Sequence, residues 1–155
     1  MQIAHLEAEE KRLVLKRFGP EEVWELGRSM VETARARALA VAIDIRSQDQ
    51  CLFHFATPGA RPLNDLWARR KSNTAYQFRA ASMLVTLRMR AQGRGDLSMH
   101  GLASDQYALS GGAVPIRVEG AGVVAIATVS GLAEEDDHGL VADALDKLVQ
   151  GQTQS

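Results

Sequence analysis

Two pairs of strand-length apolar runs, each joined by a short turn, alternate with helix-periodic sequence along this 155-residue chain. The first pair is Leu39-Ala-Val-Ala-Ile-Asp-Ile45 and Cys51-Leu-Phe-His-Phe-Ala56, around the polar stretch Arg46 to Gln50. The second is Ala113 to Val118 and Gly122 to Ser130, around Glu119-Gly120-Ala121. Connections this short make hairpins, and hairpins are antiparallel, which rules out a doubly wound parallel sheet. Val23, Gly27, Met30, Val31, Ala34 and Ala38 recur at three and four and predict a helix from Pro20 to Ala38. Gly19-Pro20 starts it, because proline at the first helical position has no amide to leave unpaired. A second helix is expected from Asn64, as its cap, to Arg79, continuing with an interruption to Arg90. A third carries Leu140, Val141, Ala144, Leu145, Leu148 and Val149 on one face. The first eighteen residues read as a short helix and then a strand. An antiparallel sheet with helices packed on it satisfies this order.

Residues 1–150 are expected to form one domain, and Gly151 to Ser155 a disordered polar tail. Lys plus Arg is 18 and Asp plus Glu is 19, a formal net charge of −1. No basic field dominates and aromatics are only 5%, so nucleic acid is not an expected partner. The only cysteine is Cys51, which excludes an intrachain disulfide and fits a cytoplasmic setting. No apolar run is long enough to cross a bilayer, so no membrane partner is expected.

Lys71 carries the most information. Asn64, Trp67, Lys71, Ala75 and Phe78 are spaced three or four apart and share a helix face that Trp67 and Phe78 make apolar. Lys71 is therefore expected to point into the core or a pocket, where an ammonium needs an acid or several acceptors. Asp44 interrupts the first apolar strand between Ala42 and Ile45, and Asp137 opens the last helix, so either carboxylate is a candidate partner. The alternative is that Lys71 runs along Trp67 to water. Ser110-Gly111-Gly112 precedes a strand holding Pro115, and reads either as a backbone-lined pocket wall or as a tight strand entry. Ser130-Gly131 hands the last strand to the last helix, and the acids Glu134 to Asp137 beyond it complement the helix dipole. No two of His5, His54, His100 and His138 lie at metal-ligand spacing. His54 faces away from Phe53 and Phe55, and Cys51 reads as inert packing in an apolar strand. Gly120-Ala-Gly122-Val-Val-Ala125 imitates a dinucleotide fingerprint but leads into a strand, not a helix.

Taken in order, Ala42-Ile-Asp-Ile45, Asn64 with Trp67 to Asn73, Ser110 to Ile116, Gly120-Ala-Gly122, and Val129-Ser-Gly131 with Asp137-His138 resemble the haem-degrading-domain family. That is the group of HbpS, GlcG and the PduO C-terminal domain, and the likeness is nearest to its small, stand-alone, cytoplasmic branch. It spans about Leu13 to Leu148. The resemblance implies an α/β, three-layer, profilin-like fold with a central antiparallel sheet, and a homo-oligomer built from dimers. It also implies haem or another planar tetrapyrrole as the first ligand to test. Asp44, Lys71, Ser110, Gly111, Gly112, Pro115, Ser130, Gly131, Asp137 and His138 match recurring positions of the family; with Trp67 they are the expected ligand-binding set. If haem binds, His138 and His54 are the candidate axial ligands. Three functions follow as expectations: an oligomeric small-molecule-binding protein, a non-catalytic assembly or chaperone-pathway module, and an enzyme using Lys71 with Asp44.

Overall fold

The computed structural model describes residues 1–153. Helix α1 (Ile3–Arg12) leads into the two-residue strand β1 (Val14–Leu15) and helix α2 (Pro20–Ala36). The first hairpin is β2 (Ala42–Arg46) and β3 (Cys51–Ala56). Helices α3 (Pro62–Phe78) and α4 (Ser82–Ala91) follow, then β4 (Ala113–Val118), β5 (Gly122–Ser130) and helix α5 (Glu134–Thr153). The five strands form one sheet in the order β1-β4-β5-β2-β3. Both expected hairpins are present, and β2 pairs with β5 antiparallel at the centre. The sheet is nevertheless mixed, because β1 runs parallel to β4 through Val14–Arg117 and Leu15–Val118. A strand that arrives from another element without a hairpin turn is free to take either direction.

Alternation along the strands sorts the two sheet faces. Ile43, Ile45, Val114, Ile116, Ala127 and Val129 face α2 and α5 and meet Leu26, Met30, Val141 and Leu145 in the main core. Asp44, Arg46, Thr128 and Ser130 share the opposite parity with Ala113, Pro115 and Ile126, and α3 lies over that face. One layer is thus bound by large aliphatics, while the other is small and polar. This is the three-layer profilin-like arrangement, with α3 on one side and α2 and α5 on the other.

Local chemistry explains the element ends. Pro62, not Asn64, opens α3; Asn64 sits three residues in and its Oδ1 accepts the Arg61 amide at 2.8 Å. The expected interruption before Arg90 falls at Arg79, which takes the left-handed conformation, with the Ala81 amide donating to Glu10 Oε1 from α1. Pro115 is tolerated within the sheet because β1 pairs only with Arg117 and Val118, leaving Pro115 on a free edge. The chain end differs from expectation. Residues 151–153, placed in a disordered tail, continue α5, and buried Gln152 accepts the Lys16 amide at 2.7 Å and donates to the Arg17 carbonyl at 2.9 Å. Residues 154–155 lie outside the described residues. Among the described residues no helix is long and apolar enough to cross a membrane.

Candidate functional site

The residues singled out by the sequence separate into two places. The first is a sealed knot around Lys71. Its side chain is only 2% exposed. The Nζ donates to the Gly111 carbonyl at 2.9 Å, the Val129 carbonyl at 2.7 Å and Asp137 Oδ2 at 3.0 Å. An ammonium has three protons, and all three are used. Asp137 in turn accepts the amides of Gly131 and Leu132. Burial draws the Lys71 ammonium below its ordinary value and pushes the Asp137 carboxyl above its own, against the attraction between the two. The glycines make the knot possible. Gly112 sits at φ +135°, and a Cβ there would overlap Lys71 Nζ and the Val129 carbonyl. Gly131 sits at φ +145°, where a Cβ would strike the Ala40 carbonyl.

Of the two carboxylates expected for Lys71, Asp137 is the partner. Asp44 instead meets Arg46, two residues on along the same strand face, with Nε to Oδ2 at 2.8 Å. The expected helix face is also rotated. The buried stripe of α3 runs through Ala68, Lys71, Ser72, Thr74 and Ala75, while Trp67 is 37% exposed and Phe78 is half-buried. Small residues let α3 lie close to the sheet, and the large ones spread to its margins.

His138 adjoins the knot from the next position of α5. It is fully buried, and its Nε2 lies 2.6 Å from Glu9 Oε1 of α1. Its Nδ1 is buried without a hydrogen-bond partner. Burial works to raise the Glu9 carboxyl, but the His138 bond and the charges of His138, His5 and Arg12 outweigh it and hold Glu9 below the usual carboxylate range. Lys71, Gly111 and Asp137 therefore satisfy one another or the backbone, while His138 pairs with Glu9 through one ring nitrogen. None of them, nor Ser110, Gly112, Pro115, Ser130 or Gly131, lines the large groove described next.

That groove is the second place, a concavity of about 900 Å³ between β3 and the first half of α3. Asp44, Arg46, Cys51 and His54 form its strand wall, Leu63, Asp65, Leu66, Trp67, Arg69 and Arg70 its helix wall, and Ser104 to Gln106 its rim. A register shift between Ile45 and Arg46 aligns Cys51 with Arg46 and Phe53 with Ile45. This bulge turns Cys51 from the phenylalanine side to the groove side. Cys51 is thus exposed, not packed, and its Sγ lies 3.7 Å from Asp44 Oδ1 and 3.6 Å from the Phe53 carbonyl, alternative acceptors for its one proton. Burial and the Asp44 charge push the thiol up, with Arg46 opposing.

His54 faces the groove, as its parity predicts, and its Nε2 lies 2.6 Å from Asp65 Oδ1. The Arg70 guanidinium sits 4.4 Å from the centre of the Trp67 ring and donates through Nε to the Ser104 carbonyl at 3.0 Å. Arg69 forms no ion pair among the described residues. Sequence reasoning missed Arg46, Cys51, Asp65, Arg69 and Arg70. The i, i+2 parity of Asp44 with Arg46 was the one signal available for any of them. No cluster of three or more His, Cys, Asp or Glu among the described residues is placed to hold a metal ion.

With this geometry in place, comparison with known proteins locates the chain. The family model described as haem degrading protein HbpS-like matches residues 18–146. A UPF0303 protein of Streptomyces coelicolor is 45% identical over 147 residues, covering 95% of this chain and 93% of the relative. The crystal structure of Ybr137w protein superposes with a TM-score of 0.88 at 28% identity, covering 99% of this chain and 90% of that one. The crystal structure of a PduOC–haem complex shares the fold, with a TM-score of 0.68 at 19% identity over 85% of this chain and 94% of that one. The chain belongs to the HbpS-like family of haem-degrading proteins.

Proposed function

We propose that this protein is an oligomeric small-molecule-binding protein whose groove between β3 and α3 takes a planar tetrapyrrole, with haem as the first ligand to test. The observation that carries this reading is the groove's composition. Leu63 is 60%, Leu66 62% and Trp67 37% exposed, an unusually apolar surface to leave in water. Arg69 and Arg70 stand beside it. An apolar, aromatic wall flanked by guanidinium groups suits a flat conjugated ring bearing carboxylates. The haem complex of the fold relative PduOC supports the choice of ligand.

Oligomerisation belongs to the same reading. β3 is the outermost strand of the sheet. Of the seven large hydrophobic side chains exposed among the described residues, Trp24, Phe55, Leu63, Leu66 and Trp67 lie on β3 or beside it. An unprotected edge flanked by apolar side chains on both faces is a pairing surface, and a second copy docked there would roof the groove. The enzyme reading through Lys71 and Asp44 finds no support, because these two residues lie in different networks and every Lys71 proton is already donated.

The test is a titration of the purified protein with haem, followed by absorbance, alongside light scattering to give the mass. The reading predicts saturable spectral change in the wild type, loss of affinity in Trp67→Ala, and a mass that is a multiple of the chain. No spectral change at any haem concentration would remove the ligand half of the proposal, and a monomeric mass the other half.

A further inference from the structure

Haem iron needs an axial donor, and the groove does not offer one in a ready state. The His54 nitrogen farthest from the backbone is the one held at 2.6 Å by Asp65, which leaves for a metal only Nδ1, the nitrogen next to its own backbone. The Cys51 thiol lies 3.7 Å from Asp44, a carboxylate that favours the protonated, non-ligating form. His138 lies outside the groove, buried beneath Glu9. The groups that are available suit the organic ring instead. Arg69 has no ion-pair partner among the described residues. Arg70 is already fixed by the Ser104 carbonyl and the indole of Trp67, so its charge is oriented before any ligand arrives. Asp44 is paired with Arg46, Asp65 is hydrogen-bonded to His54, and Asp105 stands at the rim.

Resting on the tetrapyrrole reading above, we infer that the groove recognises the conjugated ring and carboxylates of its ligand and not a metal at the ring's centre. The ligand class is accordingly a planar tetrapyrrole carboxylic acid with or without iron.

The experiment titrates the full chain with three probes: haem, metal-free protoporphyrin, and protoporphyrin dimethyl ester, whose carboxylates are masked. Wild type, Arg69→Ala and His54→Ala are compared, with circular dichroism confirming that each is folded. Haem and the metal-free ring should bind within about threefold of each other, and the ester about tenfold or more weaker, as loss of a charge-assisted hydrogen bond requires. Arg69→Ala should weaken haem and the free ring together, and His54→Ala should change the affinities for haem and the free ring by the same factor while leaving the haem spectrum unaltered. Haem binding more than tenfold tighter than the metal-free ring, or a haem spectrum altered in His54→Ala, would overturn the inference while leaving the tetrapyrrole reading intact. Equal binding of the ester and the diacid would overturn it as well. Binding of none of the three probes would overturn the tetrapyrrole reading itself, and this inference with it.

Discussion

The Lys71 knot and the β3–α3 groove use the same kinds of side chain to opposite ends. In the knot, a cation, a carboxylate, two carbonyls and two amides close on one another until no donor is left over. In the groove, guanidinium groups, two leucines and one indole stand beside water. Burial alone thus does not make a charge available: every proton of the Lys71 ammonium is donated, whereas Arg69 in the groove forms no ion pair among the described residues. A lysine among apolar neighbours is the more arresting sequence feature, yet its surroundings leave it nothing to bind. The groove residues look ordinary in sequence and remain chemically open in the fold.

The largest expected effect lies in the knot. Lys71→Met strands a buried carboxylate and should cost about 3–5 kcal/mol, read as a fall in the denaturation midpoint. Gly112→Ala should be of similar severity, since the new methyl group overlaps the ammonium. Tetrapyrrole affinity of any Lys71→Met protein that folds should match the wild type; a selective loss of binding without loss of stability would invert the comparison.

Next in size is the strut beside the knot. Glu9→Gln weakens the bond to buried His138 and should cost about 1–3 kcal/mol. The wild-type contribution is also pH-dependent. Glu9 is depressed in the folded protein, so its stabilisation is complete above the ordinary carboxylate value and is lost as pH falls through the depressed one. Acid unfolding should therefore be shifted in Glu9→Gln relative to wild type, and coincident acid transitions would show that the strut is idle.

Groove substitutions should do the reverse. Trp67→Ala should reduce tetrapyrrole affinity by about tenfold and Arg69→Ala by several-fold, while each shifts stability by only about 0.5 kcal/mol, as exposed positions do. The smallest effect concerns Cys51. With its thiol pushed up by burial and by Asp44, alkylation at neutral pH should be slow, and Asp44→Asn should hasten it. Equal rates in the two proteins would mean that Asp44 does not govern the thiol.

The hairpins, the α2 start at Pro20 and the break in the long helical stretch were legible because each depends on local spacing or a single proline. The burial of Lys71 was legible too, but for a faulty reason. Trp67 and Phe78 suggest the wrong face for α3, since size alone does not reveal that Ala68, Ser72 and Ala75 let the helix settle onto a polar sheet face. Cys51 was illegible because a bulge of one residue reverses its direction. His138 and Gln152 were illegible because their partners, Glu9 and the Lys16–Arg17 backbone, lie more than a hundred residues away. The parallel direction of β1 has the same cause: pairing across the whole chain leaves no trace in two residues of sequence.

Hydrogen exchange followed by mass spectrometry, on the wild-type chain with and without saturating metal-free protoporphyrin, separates the two regions directly. The account predicts slowed exchange in β3 and the first turns of α3, with Gly111 to Ala113 and Ser130 to Leu132 unchanged. Protection centred on those glycine segments, with β3 and α3 unaffected, would place the ligand at the knot and contradict it.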